Sequence, residues 1–304
     1  MAVARDAVVV GLARSGVAAA EFLARRGAAV VATDRRPAGE LEAEAMRLEA
    51  LGVRLELGGH RRDTFVSAST IVVSPGVPWD MPELEAARAA GVPVLAEIEL
   101  AFRNLKGRVA AVTGTKGKST TTAALGAMLR ARGGDVRVGG NIGEALVSMV
   151  EGSTEKTDFV VEVSSFQLEG IETFRPHVAV FLNLSPDHLD RHPSFEAYAQ
   201  AKARIFENQT ATDWAVAHSL VRTHGTRSRV VRFHEGEEPQ TADAAFFRAD
   251  QALLRLAGRE EILFPRSSLH LPGRHLAGDV LAAAAAARLL GAEPAQITRA
   301  VAEF

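Results

Sequence analysis

Apolar residues in the first hundred positions form short runs that alternate with amphipathic stretches. The runs have the length and composition of buried strands, and the stretches between them place apolar residues at helical spacing. The predicted elements are Ala7–Val10, Gly16–Arg26, Ala29–Thr33, Glu40–Leu51, Val53–Leu57, Thr70–Val73, Pro82–Ala90 and Val92–Leu95. Strands and helices that alternate along a chain predict a parallel, doubly wound α/β sheet.

A second alternation of predicted strands and helices begins at Arg108, but unlike the first it continues into a series of short strands. Its predicted elements are strand Arg108–Thr113, helix Lys118–Ala131, strands Val136–Val138, Asp158–Val163 and Val178–Leu182, and helix Phe195–Glu207. Shorter β-like pieces follow at Ala215–Ala217, Val230–Phe233, Ala244–Arg248, Ala252–Leu256 and Glu260–Leu263, before helices His275–Leu290 and Pro294–Phe304. The last of these pieces predict a small antiparallel addition to the sheet. We therefore predict one α/β domain over residues 1–95, a linker over 96–107 and a second α/β domain over 108–304.

Composition excludes several classes of protein. The 304 residues carry a formal net charge of −2, which favours neither a nucleic acid nor a membrane surface as partner. There is no cysteine, so disulfides, thiol nucleophiles and thiolate metal sites are excluded. No apolar run is long enough to span a membrane, and Met1–Gly11 does not resemble a secretory peptide. We expect a cytoplasmic monomer that acts on small molecules.

A glycine-rich segment between a predicted strand and a predicted helix indicates a phosphate-binding loop. The segment is Gly114-Thr115-Lys116-Gly117-Lys118-Ser119-Thr120. Its backbone N–H groups can surround an anion, Lys118 can reach the terminal phosphates of ATP, and the Ser119 hydroxyl can bind Mg²⁺. The usual first glycine is missing, because Val112 occupies its place and Gly114 follows later. Lys116, Lys118 and Lys202 are three of only five lysines in a chain that otherwise uses arginine.

The turn Gly11–Gly16 also lies between a strand and a helix, with Asp34 at the end of the next strand. This arrangement resembles a dinucleotide fingerprint, but Ala13 replaces the glycine that lets the backbone approach a pyrophosphate. A nicotinamide cofactor is therefore disfavoured. A nucleoside diphosphate held with help from Arg35 and Arg36 is the preferred interpretation, and a purely structural turn is the alternative.

Further polar segments follow strands that end at the same predicted sheet edges, where ligands collect in open α/β folds. Ser74-Pro75-Gly76 follows a strand of the first domain, and Gly139-Gly140-Asn141-Ile142-Gly143 follows one of the second. Glu162 is placed to complete a Mg²⁺ site. His188 can bind a metal through a ring nitrogen, with its ring oriented by Asp187 or Asp190. Ordinary turns and solvated side chains are the structural alternatives.

Taken together, these motifs resemble the Mur ligase family of peptidoglycan synthesis, and within it the MurD type. The resemblance covers nearly the whole chain. It is carried by the loop Gly114–Thr120, by Gly139–Gly143, by Glu162-Val163-Ser164-Ser165-Phe166-Gln167-Leu168-Glu169, by Asn183-Leu184-Ser185-Pro186-Asp187-His188-Leu189-Asp190-Arg191 and by Ala201-Lys202-Ala203-Arg204-Ile205. The glycine loop alone would not distinguish this family from folylpolyglutamate synthase. That enzyme shares the ATP-binding domain but lacks a UDP-binding first domain.

The resemblance implies a Rossmann-like UDP-binding first domain and a P-loop second domain. It implies two Mg²⁺ sites, formed by Ser119 and Glu162 and by His188 with a carbamylated Lys202. ATP would contact the loop residues and Asp279. The substrate UDP-N-acetylmuramoyl-L-alanine would contact Arg14, Ser15, Asp34, Arg35, Arg36, Ser74, Pro75, Gly76, Asn141 and Ser164. The implied reaction forms an acyl phosphate with ATP, with Lys118, Glu162, His188 and Lys202 as catalytic residues, and D-glutamate then displaces phosphate.

The chain departs from the family in two respects. Leu276 and Asp279 stand where the family usually has asparagine. The family also continues with a third domain that binds the amino acid, and Phe304 falls at the expected junction. We therefore expect the chain by itself to lack the D-glutamate site and to be inactive. A nucleotide-binding module without ligation, another Mur-type ligase and an NAD-dependent oxidoreductase are the alternative functions.

Overall fold

The computed structural model describes residues 6–223, 225–270 and 273–304, so Met1–Arg5 lies outside the description. The chain divides into two compact units. The first comprises residues up to Leu105 together with 144–152 and 166–174. The second comprises residues 106–143, 153–165 and those from Arg175 onward. Two short segments that lie between strands of the second unit along the chain thus belong to the first.

The first unit is built on a parallel sheet with strand order β3-β2-β1-β4-β5. Its strands are Asp6–Val10 (β1), Ala29–Asp34 (β2), Arg54–Leu57 (β3), Thr70–Val73 (β4) and Val94–Ala96 (β5). Its helices are Arg14–Arg25 (α1), Glu42–Glu49 (α2), Arg62–Val66 (α3), Pro82–Ala89 (α4) and Glu97–Phe102 (α5). Strand β1 pairs with β2 on one side and β4 on the other, so the order reverses at β1 and the predicted doubly wound sheet is confirmed.

The second unit contains a larger sheet with strand order β14-β13-β12-β11-β10-β9-β6-β8-β7. Its strands are Arg108–Thr113 (β6), Val136–Gly140 (β7), Asp158–Glu162 (β8), Val178–Phe181 (β9), Trp214–His218 (β10), Arg229–His234 (β11), Ala244–Arg248 (β12), Gln251–Leu256 (β13) and Arg259–Pro265 (β14). Strands β12, β13 and β14 pair antiparallel, while the other pairs are parallel. The predicted antiparallel addition is therefore confirmed.

Helices cover the strands of the second unit and complete its core. They are Lys118–Arg132 (α6), Ser165–Glu169 (α7, of which only Ser165 belongs to this unit), Phe195–Ala203 (α8), Arg274–Leu289 (α9) and Pro294–Glu303 (α10). The alanines from Ala282 to Ala287 in α9 are completely buried, and α9 packs closely against α6. Small side chains permit this close approach, which fixes α6 and the loop before it.

The segment 96–107, predicted as a linker, contains helix α5, whose buried glutamates fasten the two separate segments of the first unit. The Glu97 carboxylate accepts a hydrogen bond from the backbone N–H of Val147 at 2.7 Å. Glu99 accepts backbone hydrogen bonds from the segment 172–174 at 2.8–3.0 Å. Such contacts join residues far apart in sequence and leave no periodic signal. The division into 1–95, 96–107 and 108–304 stays a prediction.

Glu97 and Glu99 are both buried but have opposite pKa shifts. Burial raises the pKa of Glu97 to about 7, only partly opposed by the Val147 N–H. Burial also acts to raise the pKa of Glu99, but hydrogen bonds from Thr173, Arg103 and the backbone at 172–174 outweigh it and lower that pKa. Glu97 therefore favours folding at low pH and loses this contribution between its unfolded pKa and about pH 7. Glu99 favours folding at neutral pH and loses its contribution as the solution is acidified.

We expect Glu97→Gln to stabilise the first unit above about pH 7 by on the order of 3 kcal/mol, because it imitates the protonated acid at every pH. Glu99→Gln is the matched control on the same helix and should destabilise the unit at neutral pH. Urea unfolding in a Trp214→Phe background measures the effect, since Trp79 then reports on the first unit alone. Equal destabilisation by both substitutions would contradict the account.

Within the described ranges, no helix is both long and apolar enough to cross a membrane.

Candidate active site

The predicted phosphate loop connects β6 to α6. Strand β6 continues to Thr113, whose hydroxyl donates to the Val163 carbonyl at 2.9 Å, and Val112 is completely buried in the sheet. The loop therefore spans only Gly114–Gly117 before α6 begins. This explains the missing early glycine, because the position it would occupy lies inside a core strand where a β-branched residue packs well.

Gly117 gives the loop its sharp turn into the helix. Its φ of +83° lies in the left-handed region, where residues with a Cβ are strained. A Cβ at Gly117 would also lie 2.3 Å from Oδ1 of Asp279. The first turn of α6 directs free backbone N–H groups at this point, and such a helix start attracts phosphate oxygens.

Asn183, two residues after the end of β9, fixes the shape of the loop. Its Oδ1 accepts hydrogen bonds from the backbone N–H groups of Thr115 at 3.1 Å and Lys116 at 2.9 Å, and its Nδ2 donates to the Lys116 carbonyl at 3.0 Å. We did not predict this role from the sequence. The available signal was a polar residue at the end of a strand neighbouring β6, since such residues reach the loop after the adjacent strand.

Three predicted residues meet at the start of α6. The Ser119 hydroxyl donates to Oε2 of Glu162 at 2.7 Å, and Nδ2 of Asn141 donates to Oε1 of the same carboxylate at 2.9 Å. Glu162 is 2% exposed, so its orientation is fixed by these contacts. Neighbouring hydroxyl and carboxylate oxygens suit Mg²⁺, which prefers oxygen ligands, and the donor set therefore fits this ion.

Lys202 lies beneath the loop. Its Nζ donates to the Gly114 carbonyl at 2.8 Å and lies 4.8 Å from the centre of the Tyr198 ring. Lys202 is 2% exposed, and burial, together with the charge of Lys118, lowers its pKa to about 7. A surface lysine is therefore excluded. Lys118 itself donates to the Thr115 carbonyl at 2.9 Å, so its amine folds over the loop.

His188 lies on an exposed turn and has a φ of +52°, an uncommon conformation for a residue with a side chain. Its ring centre is 6.3 Å from that of Tyr198, whose hydroxyl lies 3.2 Å from that of Thr115. Strained backbone is often found at functional sites, which supports a role for His188. The described contacts do not join His188 directly to Glu162 or Ser119.

The remaining predicted residues of the second unit lie around this cluster. Thr120 is half-buried in the first turn of α6, and Ser164 is half-buried after β8. Asp279 contacts the loop from α9, beside a cavity of about 490 Å³ that Lys116, Gly117 and Asn183 also line.

In the first unit, Asp34 joins the glycine turn to the end of β2. Its carboxylate accepts hydrogen bonds from the Leu12 N–H at 2.7 Å, and from the Arg36 N–H and guanidinium at 2.9–3.2 Å. Burial would raise the pKa of Asp34, but the hydrogen bonds from Arg36 and Leu12 lower it to about 2. The Ser74 hydroxyl donates to the Gly11 carbonyl at 2.8 Å, so β4 fastens the same turn.

A cavity of about 660 Å³ opens at this turn. Predicted residues that line it are Asp34, Arg35, Arg36, Ser74 and Gly76. Its lining does not include Arg14, Ser15 or Pro75: Arg14 is exposed, Ser15 is buried and Pro75 is half-buried. Arginines beside a glycine turn offer charge and hydrogen bonds to a diphosphate. His60 and Glu83 also line the cavity and were not predicted.

Known proteins similar to this chain include enzymes of one family. Residues 5–96 match the Mur ligase MurD-like N-terminal domain, and residues 112–287 match the Mur ligase middle domain. The UDP-N-acetylmuramoylalanine–D-glutamate ligase of Geobacter metallireducens is 44% identical over 99% of this chain and 67% of its own length. The enzyme of the same name from Desulfosudis oleivorans is 46% identical over 99% of this chain and 66% of its own length. The chain thus spans about two thirds of the length of these relatives.

Solved structures show the same fold at lower identity. A UDP-N-acetylmuramate:L-alanyl-gamma-D-glutamyl-meso-diaminopimelate ligase from Neisseria meningitides superposes with a TM-score of 0.65 at 20% identity, covering 99% of this chain and 98% of that one. A UDP-N-acetylmuramate–alanine ligase from Thermotoga maritima gives 0.55 at 22% identity, covering 98% and 68%. With both domains matched in sequence and the fold shared, the chain belongs to the Mur ligase family.

Proposed function

We propose that the chain provides the nucleotide and UDP-substrate sites of an ATP-dependent ligase that joins D-glutamate to UDP-N-acetylmuramoyl-L-alanine. The observation that carries this proposal is the cluster at the start of α6, where Ser119 and Glu162 share a hydrogen bond at the phosphate loop. Its support is the 44% identity to an enzyme named for that reaction. A nucleotide-binding module would need the loop but neither the UDP-type cavity nor the buried Lys202.

The reaction proceeds in two steps. A carboxylate oxygen of the alanyl group attacks the γ-phosphorus of ATP, the bond to the bridging oxygen breaks, and ADP leaves an acyl phosphate behind. The amine of D-glutamate then attacks the acyl carbon, and the nitrogen loses a proton. The acyl C–O bond breaks, so inorganic phosphate leaves with that oxygen. Phosphoryl transfer depends mainly on positioning and charge neutralisation.

The loop residues supply that positioning. The N–H groups in the first turn of α6 face the phosphates, and Lys118 neutralises charge on them by leaving its contact with the Thr115 carbonyl. Asn183 fixes the shape of the loop before the nucleotide arrives, so little rearrangement is required.

Two cation sites belong to the proposal. Ser119 and Glu162 would hold one Mg²⁺, and His188 with Lys202 would hold a second. Bound Mg²⁺ neutralises the developing charge on the transferred phosphoryl group. With its pKa lowered to about 7 by burial, Lys202 offers a neutral amine that can add to CO₂, releasing a proton and gaining a carboxylate. That carboxylate is a hard oxygen ligand suited to Mg²⁺.

The first unit binds the UDP part of the substrate in the cavity at the glycine turn. Arg35, Arg36, Ser74 and Gly76 line it, and Asp34 keeps the turn and the Arg36 guanidinium in place. Arg14, Ser15 and Pro75 support the same turn, and Asn141 and Ser164 act near the acceptor carboxylate. We further propose that the protein is a monomer, and the consumption of ATP supports a cytoplasmic location.

Calorimetry on the 304-residue chain tests the proposal. We expect Mg²⁺–ATP and UDP-N-acetylmuramoyl-L-alanine each to bind, and UDP to compete with the latter. We also propose that this polypeptide alone releases no phosphate in the presence of D-glutamate, since its relatives are about half as long again. Binding of NADH in place of the UDP substrate would contradict the proposed UDP site. Measurable D-glutamate ligation by residues 1–304 would contradict the proposed inactivity of this polypeptide alone.

A further inference from the structure

The loop between β4 and α4 in the first unit has two faces. Most of residues 76–81, here called the cavity loop, line the cavity of about 660 Å³ at the glycine turn: Gly76, Val77, Pro78 and Met81. Trp79, in the middle of this loop, does not line that cavity and faces a separate one of about 520 Å³ instead. Because the first cavity is the proposed UDP site, the role assigned to Trp79 below rests on the proposed function.

The indole of Trp79 is attached to the segment 166–170, which follows β8 in the chain but belongs to the first unit. Its Nε1 donates a hydrogen bond to the Phe166 carbonyl at 3.2 Å. Its ring packs against Gly170, since a Cβ at that residue would lie 2.2 Å from two of the ring carbons. The polar and the apolar part of the indole thus each have a partner on this segment.

Arg88 of α4 contacts Trp79 as well. Its guanidinium carbon lies 5.3 Å from the centre of the indole, within the range of a cation–π contact. The same guanidinium donates to the Trp79 carbonyl at 2.8 Å and to the Glu85 carboxylate at 2.5 Å. The side chain and the main chain of Trp79 are therefore both held in place.

The beginning of the cavity loop has a support of its own. The Val77 N–H donates to the Ser74 carbonyl at 3.0 Å, and a Cβ at Gly11 would lie 2.6 Å from Cγ2 of Val77, so this side chain packs on the glycine turn. Pro78, between Val77 and Trp79, has a fixed φ. The wall of the cavity is therefore ordered before a ligand arrives, and a loop that is already ordered loses little freedom on binding.

Trp79 also packs at the edge of the apolar core of the first unit, and core packing is the alternative role for it. A side chain that only fills the core would contribute to stability and not to ligand affinity. Two observations favour a role in binding. Trp79 has residues that line the cavity on both sides of it, and its N–H is directed to one main-chain carbonyl of another segment.

We propose that Trp79 is a positioning residue for the UDP part of the substrate. It fixes Pro78 and Met81 in the cavity wall through its contacts with the segment 166–170 and with Arg88. Without this attachment the cavity loop is free to move in the unliganded protein, and the nucleotide must order it on binding. Affinity for a uridine nucleotide then falls, while affinity for ATP in the second unit does not.

Calorimetric titration of the 304-residue chain with UDP tests this proposal. We expect Trp79→Ala to weaken UDP binding by at least about tenfold, since both the ring contact and the hydrogen bond are lost. Trp79→Phe keeps a ring against Gly170 and loses only the N–H donor, so a loss of about threefold is expected. Both variants should bind Mg²⁺–ATP as the wild type does. In the full gene product they should raise the KM for UDP-N-acetylmuramoyl-L-alanine and leave kcat unchanged.

Val92→Ala is the matched control, because Val92 is buried in the same core but does not line the UDP cavity. It should lower the stability of the first unit without changing UDP affinity. Unchanged UDP affinity in Trp79→Ala, or an equal loss in Val92→Ala, would overturn the proposal. If Trp79→Ala fails to fold, wild-type UDP affinity in Trp79→Phe overturns it. Failure of the wild-type chain to bind UDP would instead overturn the proposed function.

Discussion

Lys202→Met is expected to lower turnover of the full gene product by at least about a hundredfold, comparable to the loss of one preorganised transition-state contact. Methionine keeps the buried apolar stem, so the variant should fold. It removes the amine that contacts the Gly114 carbonyl and that would gain a carboxylate from CO₂. Added bicarbonate should not restore activity, because no amine remains to react.

Lys156→Met is the matched control, since Lys156 is exposed and distant in sequence from the loop. It should leave phosphate release unchanged. A ¹³C resonance of a carbamate, obtained with labelled CO₂, should appear in the wild type and in Lys156→Met but not in Lys202→Met. A merely structural lysine would give no such resonance. Near-normal turnover of Lys202→Met would show that Lys202 is not a catalytic residue.

Gly117→Ala is expected to weaken Mg²⁺–ATP binding by at least about tenfold. Alanine at a φ of +83° costs about 1–2 kcal/mol, and its Cβ would lie 2.3 Å from the Asp279 carboxyl. Either the loop or Asp279 must then move, and both line the cavity of about 490 Å³ beside the loop. Calorimetric titration of both proteins with Mg²⁺–ATP measures the change in affinity.

Gly133, at the other end of α6, offers a control for backbone strain. Its φ is +88°, and a Cβ there would meet nothing within 4 Å. With a ψ of 163°, Gly133 has a conformation that residues other than glycine rarely adopt, so Gly133→Ala should lower stability by at least as much, without changing ATP affinity. Equal affinities for the two variants would show that the conformation of Gly117 does not shape the phosphate site.

The sequence was most informative where chemistry and periodicity coincide. Buried strands such as β6 and β8 are continuous apolar runs, and the glycine and lysine pattern after β6 has few structural uses. The antiparallel pairing of β12, β13 and β14 was also predictable, because short strands with short connections favour hairpins.

Contacts between distant segments were not predictable in this way. Helix α5 has no long amphipathic pattern, and Glu99 is buried only because the segment 172–174 supplies donors to it. The contact of Asn183 with the loop was not predicted either, since it depends on the neighbouring positions of β9 and β6. The burial of Lys202 likewise follows from packing beneath Gly114, which no local pattern reveals.

The central claim is that this fold activates a carboxylate by phosphorylation. The most direct test uses the full gene product with UDP-N-acetylmuramoyl-L-alanine labelled with ¹⁸O in its alanyl carboxylate, together with ATP and D-glutamate. Because inorganic phosphate departs with the oxygen that attacked the γ-phosphorus, we predict that the released phosphate contains one ¹⁸O atom. Product formed with unlabelled phosphate would contradict the acyl-phosphate mechanism.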